Sequence, residues 1–333
     1  MAEPATPRTG VIYDIGYQHY DGPRLGRAGA VRALYVEGIR SIFGIGRGGK
    51  AKIPPVVLIA MMVIPALIQS AVTGLAGNMI QLFAHATYFR TTVWLFGLFC
   101  AFQTPELITS DSQSRVLALY FSRAVRRSDY VLARVAALAT SLFVVALLPH
   151  IVLLAGTWMS AEDVAAAMRT SLPTIPRIIA GAFAIAILLS TVSITIAAVL
   201  KRRPFATAAI LAFFLLASGF VTPLIMQRPD KMRYLALTSP MIVGDGVTTW
   251  IFDTTSVKQK ADSIAALDAA DAKARPPKNA ADSNAQLRRR FRRRNRTVLQ
   301  AANLPGTTYL GTMVGFIAIA GVVLTLRYRS IET

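Results

Sequence analysis

The chain has 333 residues, of which 54% are hydrophobic and 16% charged. Soluble domains carry about a quarter charged residues, so this balance excludes an ordinary soluble fold. The formal net charge is +19, which in so apolar a chain reads as basic loops along one membrane face and not as a nucleic-acid surface.

Cys100 is the one cysteine and lies inside an apolar run, so neither an internal disulfide nor a cysteine metal cluster is expected. Several apolar runs approach the roughly 20 residues that a helical crossing needs. Alternating barrel strands are not visible, and a crossing must satisfy its own backbone. The fold class predicted is an all-α polytopic membrane protein with six transmembrane helices.

Residues 1–29 are rich in Pro, Gly and Arg and contain the aromatic run Tyr13–Arg27, YDIGYQHYDGPRLGR. They lack the charged-then-apolar pattern of a cleavable signal, so the first span is expected to direct insertion. Over residues 30–43, Val31, Leu34, Tyr35, Ile39, Ile42 and Phe43 follow helical spacing, while Arg32, Glu37 and Arg40 fall elsewhere on the wheel. This predicts an amphipathic interfacial helix ahead of the first span. Packing of that face on other protein is compatible with the same pattern.

Gly44-Ile-Gly-Arg-Gly-Gly-Lys50-Ala51 matches a glycine-rich nucleotide loop by letter. A phosphate-binding loop needs a preceding strand and a Ser or Thr for magnesium, whereas here an amphipathic helix precedes and Ala51 stands in the hydroxyl position. A basic hinge is the reading preferred.

Spans are expected at about residues 53–73, 91–108, 130–157, 176–200, 205–226 and 307–326. Residues 1–52 form an N-terminal segment, 53–226 hold five spans, 227–306 form a long outer loop, and 307–333 the last span and tail. Charge sets the orientation. Eight Lys and Arg precede the first span, five lie between residues 110 and 134, three at 201–203 and two in the tail, against Arg90, Arg169 and Arg177 in the two short loops opposite. Both termini are therefore expected to be cytoplasmic, in the cell membrane.

The run 286–296, with seven arginines, opposes that assignment. Loops beyond about 60 residues cross largely regardless of charge. The segment 234–252 holds Pro240, Gly244, Asp245 and Gly246 and makes a poor seventh span; an outer hairpin or re-entrant element is expected.

Catalytic chemistry finds little support. His19, His85 and His150 are far apart in sequence, with no carboxylate beside His85 or His150, and no zinc-protease motif is present. Glu106 is the carboxylate nearest a span, and Arg115 or Arg134 are candidate partners. The spans carry hydroxyls and amides, among them Gln69, Ser70, Thr73, Gln103, Thr104, Ser190, Thr191, Ser193, Ser218 and Thr222, but almost no charge. This disfavours an ion-coupled carrier and suits an amphipathic or lipid-like substrate. Small and hydroxyl residues also serve close helix packing.

The loop 105–134 is short, basic and amphipathic. Ser110 or Asp111 is a candidate cap for a short helix over about 112–124, and Ser128-Asp129 for the next span. Val116, Leu119 and Tyr120 share a face, extended by Leu117 and Phe121, a pattern suited to a partner's groove.

Glu106-Leu-Ile-Thr-Ser-Asp111, Arg115-Val-Leu-Ala-Leu-Tyr120, Ser122-Arg123 and Arg126-Arg-Ser-Asp-Tyr130-Val-Leu-Ala-Arg134 together resemble the loop of type-2 ATP-binding-cassette (ABC) exporter permeases. The Tyr13–Arg27 run followed by an interfacial helix is similar to an actinobacterial-type subset. Residues of about 258–300 depart from the family as an insertion. The resemblance implies a permease subunit that pairs with a second copy or a paralogue and with a separate ABC ATPase. Glu106, Asp111, Arg115, Val116, Leu117, Leu119, Tyr120, Arg123 and Arg126 would then face that ATPase. ATP and magnesium would be held by the partner, with no cofactor, metal site or enzymatic activity on this chain. Membrane lipid is the other expected partner, and nucleic acid is not one. The alternatives are a non-transporting membrane sensor or scaffold and an ion-coupled secondary carrier.

Overall fold

The computed structural model describes residues 22, 26–76, 84–114, 117–121, 125–200, 202–252, 299, 302 and 304–329. Among them all regular structure is helical. The helices are α1 (Gly26–Ile42), α2 (Ile53–Ala76), α3 (His85–Gln113), α4 (Leu117–Phe121), α5 (Arg127–Met159), α6 (Val164–Ser171), α7 (Ile175–Val199), α8 (Arg203–Gln227), α9 (Pro229–Met232), α10 (Pro240–Ile251) and α11 (Gly306–Arg329).

Among the described residues, five segments are long and apolar enough to cross a membrane: 49–75, 127–159, 164–199, 203–227 and 306–329. The expected second span is not among them. Its helix, α3, is the polar centre of the bundle and carries Gln103, Thr104 and Glu106. Sixteen of its 29 residues are buried, so neighbouring helices cover most of its surface, with Trp94 and Phe102 left outward, and its polar side chains need not face lipid. By contrast α2, α8 and α11 keep large apolar side chains outward, including Val56, Ile64, Leu67, Leu216, Phe220, Ile319 and Val322. These faces suit contact with hydrocarbon.

The bundle has two ends. At the first, called the basic end below, α2, α5 and α8 begin and α3, α7 and α11 finish. The Tyr130 and Tyr328 rings meet there at 5.6 Å, and Arg327 donates to the Ala198 carbonyl at 3.2 Å. At 33 residues α5 is about 50 Å long, against a hydrocarbon layer of about 30 Å, so it outruns the layer.

Most span hydroxyls are turned to their own helix. Thr73, Thr191, Ser193 and Ser218 donate to carbonyls four residues back, which occupies them without forming a polar path. Ser70 does so too and also reaches the Val152 carbonyl at 3.1 Å. A Cβ on Gly156 would lie 2.3 Å from the Ser70 Oγ, so α2 and α5 touch through small residues.

Beyond α8 the chain doubles back into the bundle. A 3-10 segment (Arg233–Thr238) brings Ser239 to the Ser218 hydroxyl at 2.8 Å, nine residues before the end of α8 and so about 13 Å down its length. From there α10 climbs back, buried along most of its 12 residues against α3, α7 and α11. The run 286–296 lies outside the described residues.

Candidate functional site

The basic end holds an ion-pair network built around one buried arginine. Arg134, one turn past Tyr130 on α5, is 1% exposed. Its Nη2 donates to Asp111 Oδ2 on α3 at 2.6 Å, and its Nη1 donates to Glu37 on α1. The guanidinium also lies 5.4 Å from the Tyr130 ring centre. An arginine out of water needs this kind of compensation, since desolvating the cation costs several kcal/mol by rough estimate.

Asp111 accepts a second bond from the Tyr130 hydroxyl at 2.7 Å. The Tyr130 ring in turn contacts Tyr120 and Phe121 of α4, each at 6.1 Å. Arg127 lies over the Phe121 ring at 5.6 Å. So the short loop helix rests on the same tyrosine that joins α3, α5 and α11. Burial, with the Asp111 charge adding to it, pushes the Tyr120 phenol above its ordinary value. The group stays neutral and packs as an aromatic.

Two further pairs flank this centre. Arg27 grips Asp129 with Nε and Nη2, both at 2.6 Å, tying the start of α1 to the first turn of α5. Glu106 accepts from Arg47 and, at 2.7 Å, from Arg203. Arg203 also donates to the Ser110 hydroxyl at 2.8 Å. One carboxylate thus joins the linker after α1, the helix α3 and the start of α8.

These contacts correct several expectations. Glu106 does not pair with Arg134: five residues separate it from Asp111, about 140° around α3, so the two carboxylates address different neighbours. Ser110 and Asp111 cap no new helix. The α3 hydrogen bonds run on, with the Ser114 N–H donating to the Ser110 carbonyl at 3.0 Å, so Ser112 and Gln113 end the long helix. The separate loop helix is described over Leu117–Phe121, and residues 115–116 and 122–124 of the expected helix lie outside the described residues. Asp129 caps α5 from its third position, accepting from the Arg126 N–H at 3.2 Å. Of the remaining expected coupling residues, Leu117 and Tyr120 are partly buried against the core. Arg126 is exposed beside α5. Leu119 lies within α4, and Arg115, Val116 and Arg123 are outside the described residues.

On α1 the anticipated face is turned to protein. Leu34 and Ile42 are buried, and Val31, Tyr35, Ile39 and Phe43 pack against the same core. A Cβ on Gly38 would meet the Ala137 Cβ at 2.8 Å, so α1 sits close on α5. Gly44 and Gly46 take positive φ, 64° and 86°. There glycine is favoured, and the chain turns from α1 to a 3-10 segment (Gly49–Lys52) and α2. This is a tight joint between helices, without the strand a phosphate loop requires.

The opposite end has its own contacts. His85 and His150, distant in sequence, bring their Nδ1 atoms to 3.0 Å, with the Phe89 ring 4.0 Å from His150. Arg90 donates to both Asp245 oxygens, at 3.0 and 3.1 Å, and to Thr249 at 3.3 Å. No group of three or more metal-ligating side chains occurs among the described residues.

Glu37, Arg27, Arg47 and Arg203 were not singled out from sequence. Glu37 read as part of a polar face; the signal available was a carboxylate beside an apolar stripe. No protein-family model matches the chain, and no curated protein matches it.

Proposed function

We propose that this chain is the membrane-spanning permease subunit of an ATP-driven exporter of the type-2 ABC kind, moved by a separate ATPase. On this reading α3 completes six spans, the basic end faces the cytoplasm, and α4 takes the push of the partner. The observation that carries it is the connection from α4 through Tyr130 to Asp111 and Arg134. A force on the loop helix meets a joint shared by α1, α3, α5 and α11. Coupling of this kind needs a rigid element linking the two sites.

Two permease copies, or this chain and a paralogue, would enclose the pathway. The predominantly apolar spans suit an amphipathic or lipid-like substrate. ATP and magnesium would be held on the partner. The switch between access states would be a rigid-body motion of α3 and α5.

The test is co-purification of the membrane complex with a stand-alone cassette ATPase. Leu119→Asp combined with Arg123→Glu should abolish ATPase association, or separate hydrolysis from transport, while insertion stays normal. Undiminished association and transport in that double variant would overturn the assignment. Transport that collapses with the proton gradient and persists without ATP would point to a carrier instead.

A further inference from the structure

Between α1 and the first turns of α5 lies an open cleft of about 710 Å³, lined by Val31, Tyr35, Leu132 and Ala136 and by the charged side chains of Arg27, Arg32 and Asp129. Its other walls are apolar, and Leu132 is 66% exposed, so its side chain is open to a ligand from the bilayer. Arg32 is exposed, with no salt bridge among the described residues. Arg27 spends Nε and Nη2 on Asp129, which leaves N–H groups of its guanidinium directed elsewhere.

The cleft has a polarity along α5. Arg27 sits beside Asp129 in the first turn, whereas Ala136 lies seven residues further, about 10 Å deeper into the bundle. Tyr35 closes the deep end, its hydroxyl donating to Thr140 at 3.0 Å. Arg27 therefore stands where α5 leaves the hydrocarbon, and Arg32 reaches the same cleft from between Val31 and Tyr35. Two arginines against the one carboxylate of Asp129 leave the cleft net cationic beside apolar walls, which matches the phosphate and an acyl chain of a phospholipid.

We propose that this cleft binds one anionic glycerophospholipid of the surrounding bilayer. Its phosphate sits on Arg32 and the free edge of Arg27, and an acyl chain lies along Val31, Leu132 and Ala136. The net positive charge of the lining selects the headgroup, and the bound lipid packs α1 against α5. The inference rests on the membrane-spanning reading of α5 and is independent of any ATPase partner.

The test is native mass spectrometry of the full chain in detergent, titrated with dioleoyl-phosphatidylglycerol or dioleoyl-phosphatidylcholine, which share acyl chains. Phosphatidylglycerol should be retained several-fold better. Arg32→Gln should weaken its retention about fivefold, the effect of one basic residue at an anionic surface, and Arg32→Lys should largely restore it. Leu132→Asp should weaken both lipids, and Arg329→Gln, away from the cleft, should change neither.

Equal retention of the two lipids, or an unchanged Arg32→Gln variant, overturns the proposal. Displacement by glycerol 3-phosphate at concentrations similar to the lipid's own would make this a free-phosphate site and also overturn it. So would a chain that binds phosphatidylglycerol only after removal of residues 2–21, since the cleft would then belong to that segment. ATPase association is not read in this experiment, so failure here leaves the exporter reading untouched, and the converse holds.

Discussion

Arg134 on α5 and Asp111 on α3 are joined at 2.6 Å by an arginine that is 1% exposed, and Glu37 on α1 binds the same guanidinium. Three helices therefore share one cation. Removing a partner from such a pair leaves the other charge without compensation, whereas replacing both with apolar groups can be nearly neutral. Arg134→Met should cost about 3 kcal/mol, the low end for a buried pair, because Glu37 is largely in water and can stay solvated. Arg134→Met combined with Asp111→Asn should recover part of that loss. Thermal unfolding in detergent, followed by the loss of helical circular dichroism, measures both.

The fold of the segment after α8 is open to a chemical check. Ser218 and Ser239 bring their Oγ atoms to 2.8 Å. The double variant Ser218→Cys with Ser239→Cys should form a disulfide on mild oxidation, seen as a link between fragments after proteolysis between the two positions. Cys100 is buried and should not compete. Gln227→Cys with Ser239→Cys should not link, because the chain has turned back well below the end of α8.

Gly156 meets Ser70 at a distance that admits no side chain, a Cβ there falling 2.3 Å from the Ser70 Oγ and 3.0 Å from its Cα. Gly156→Ala should therefore destabilise by about 1–3 kcal/mol, the usual cost of overpacking. Ser70→Ala should relieve little of this, because the Ser70 Cβ is itself 2.4 Å away. Ser70→Gly should relieve most of it. The three variants can be ranked by midpoint in a thermal scan.

Arg90 and Asp245 pin α10 to α3 through a partly exposed pair. Reversing both charges, Arg90→Asp with Asp245→Arg, should restore most of what either single change loses. The coupling energy from the double-mutant cycle should be about 1 kcal/mol or less, as for pairs open to solvent. A coupling of zero would mean that packing alone holds α10.

The long apolar helices were legible because a span advertises itself through composition over roughly 20 residues. The amphipathic stripe of α1 was legible through its spacing, and its six apolar positions do face the core. Partner choice was not. Arg134 finds Glu37 97 residues away and Asp111 23 away, and helical periodicity says which face is polar without saying which helix lies beside it. The same blindness separated His85 from His150, 65 positions apart. The extent of α3 was missed for another reason. Its polar positions from Ser110 on looked like a boundary, but Ser110 and Asp111 bind Arg203 and Arg134, and the helix runs through them.

The burial of α3 bears on how the chain is made. A segment carrying Gln103, Thr104 and Glu106 gains less from partitioning into lipid than its neighbours do, because each polar group raises the cost of insertion. The helices that shelter it most, α7, α8 and α10 beside α5, are synthesised later. A nascent chain in which α3 has entered the translocon before α7, α8 and α10 are made should hold it only loosely, exposed to proteases. Release of the chain through α10, which ends at Ile251, should secure it, so maturation of α3 is a delayed, cooperative event set by translation order.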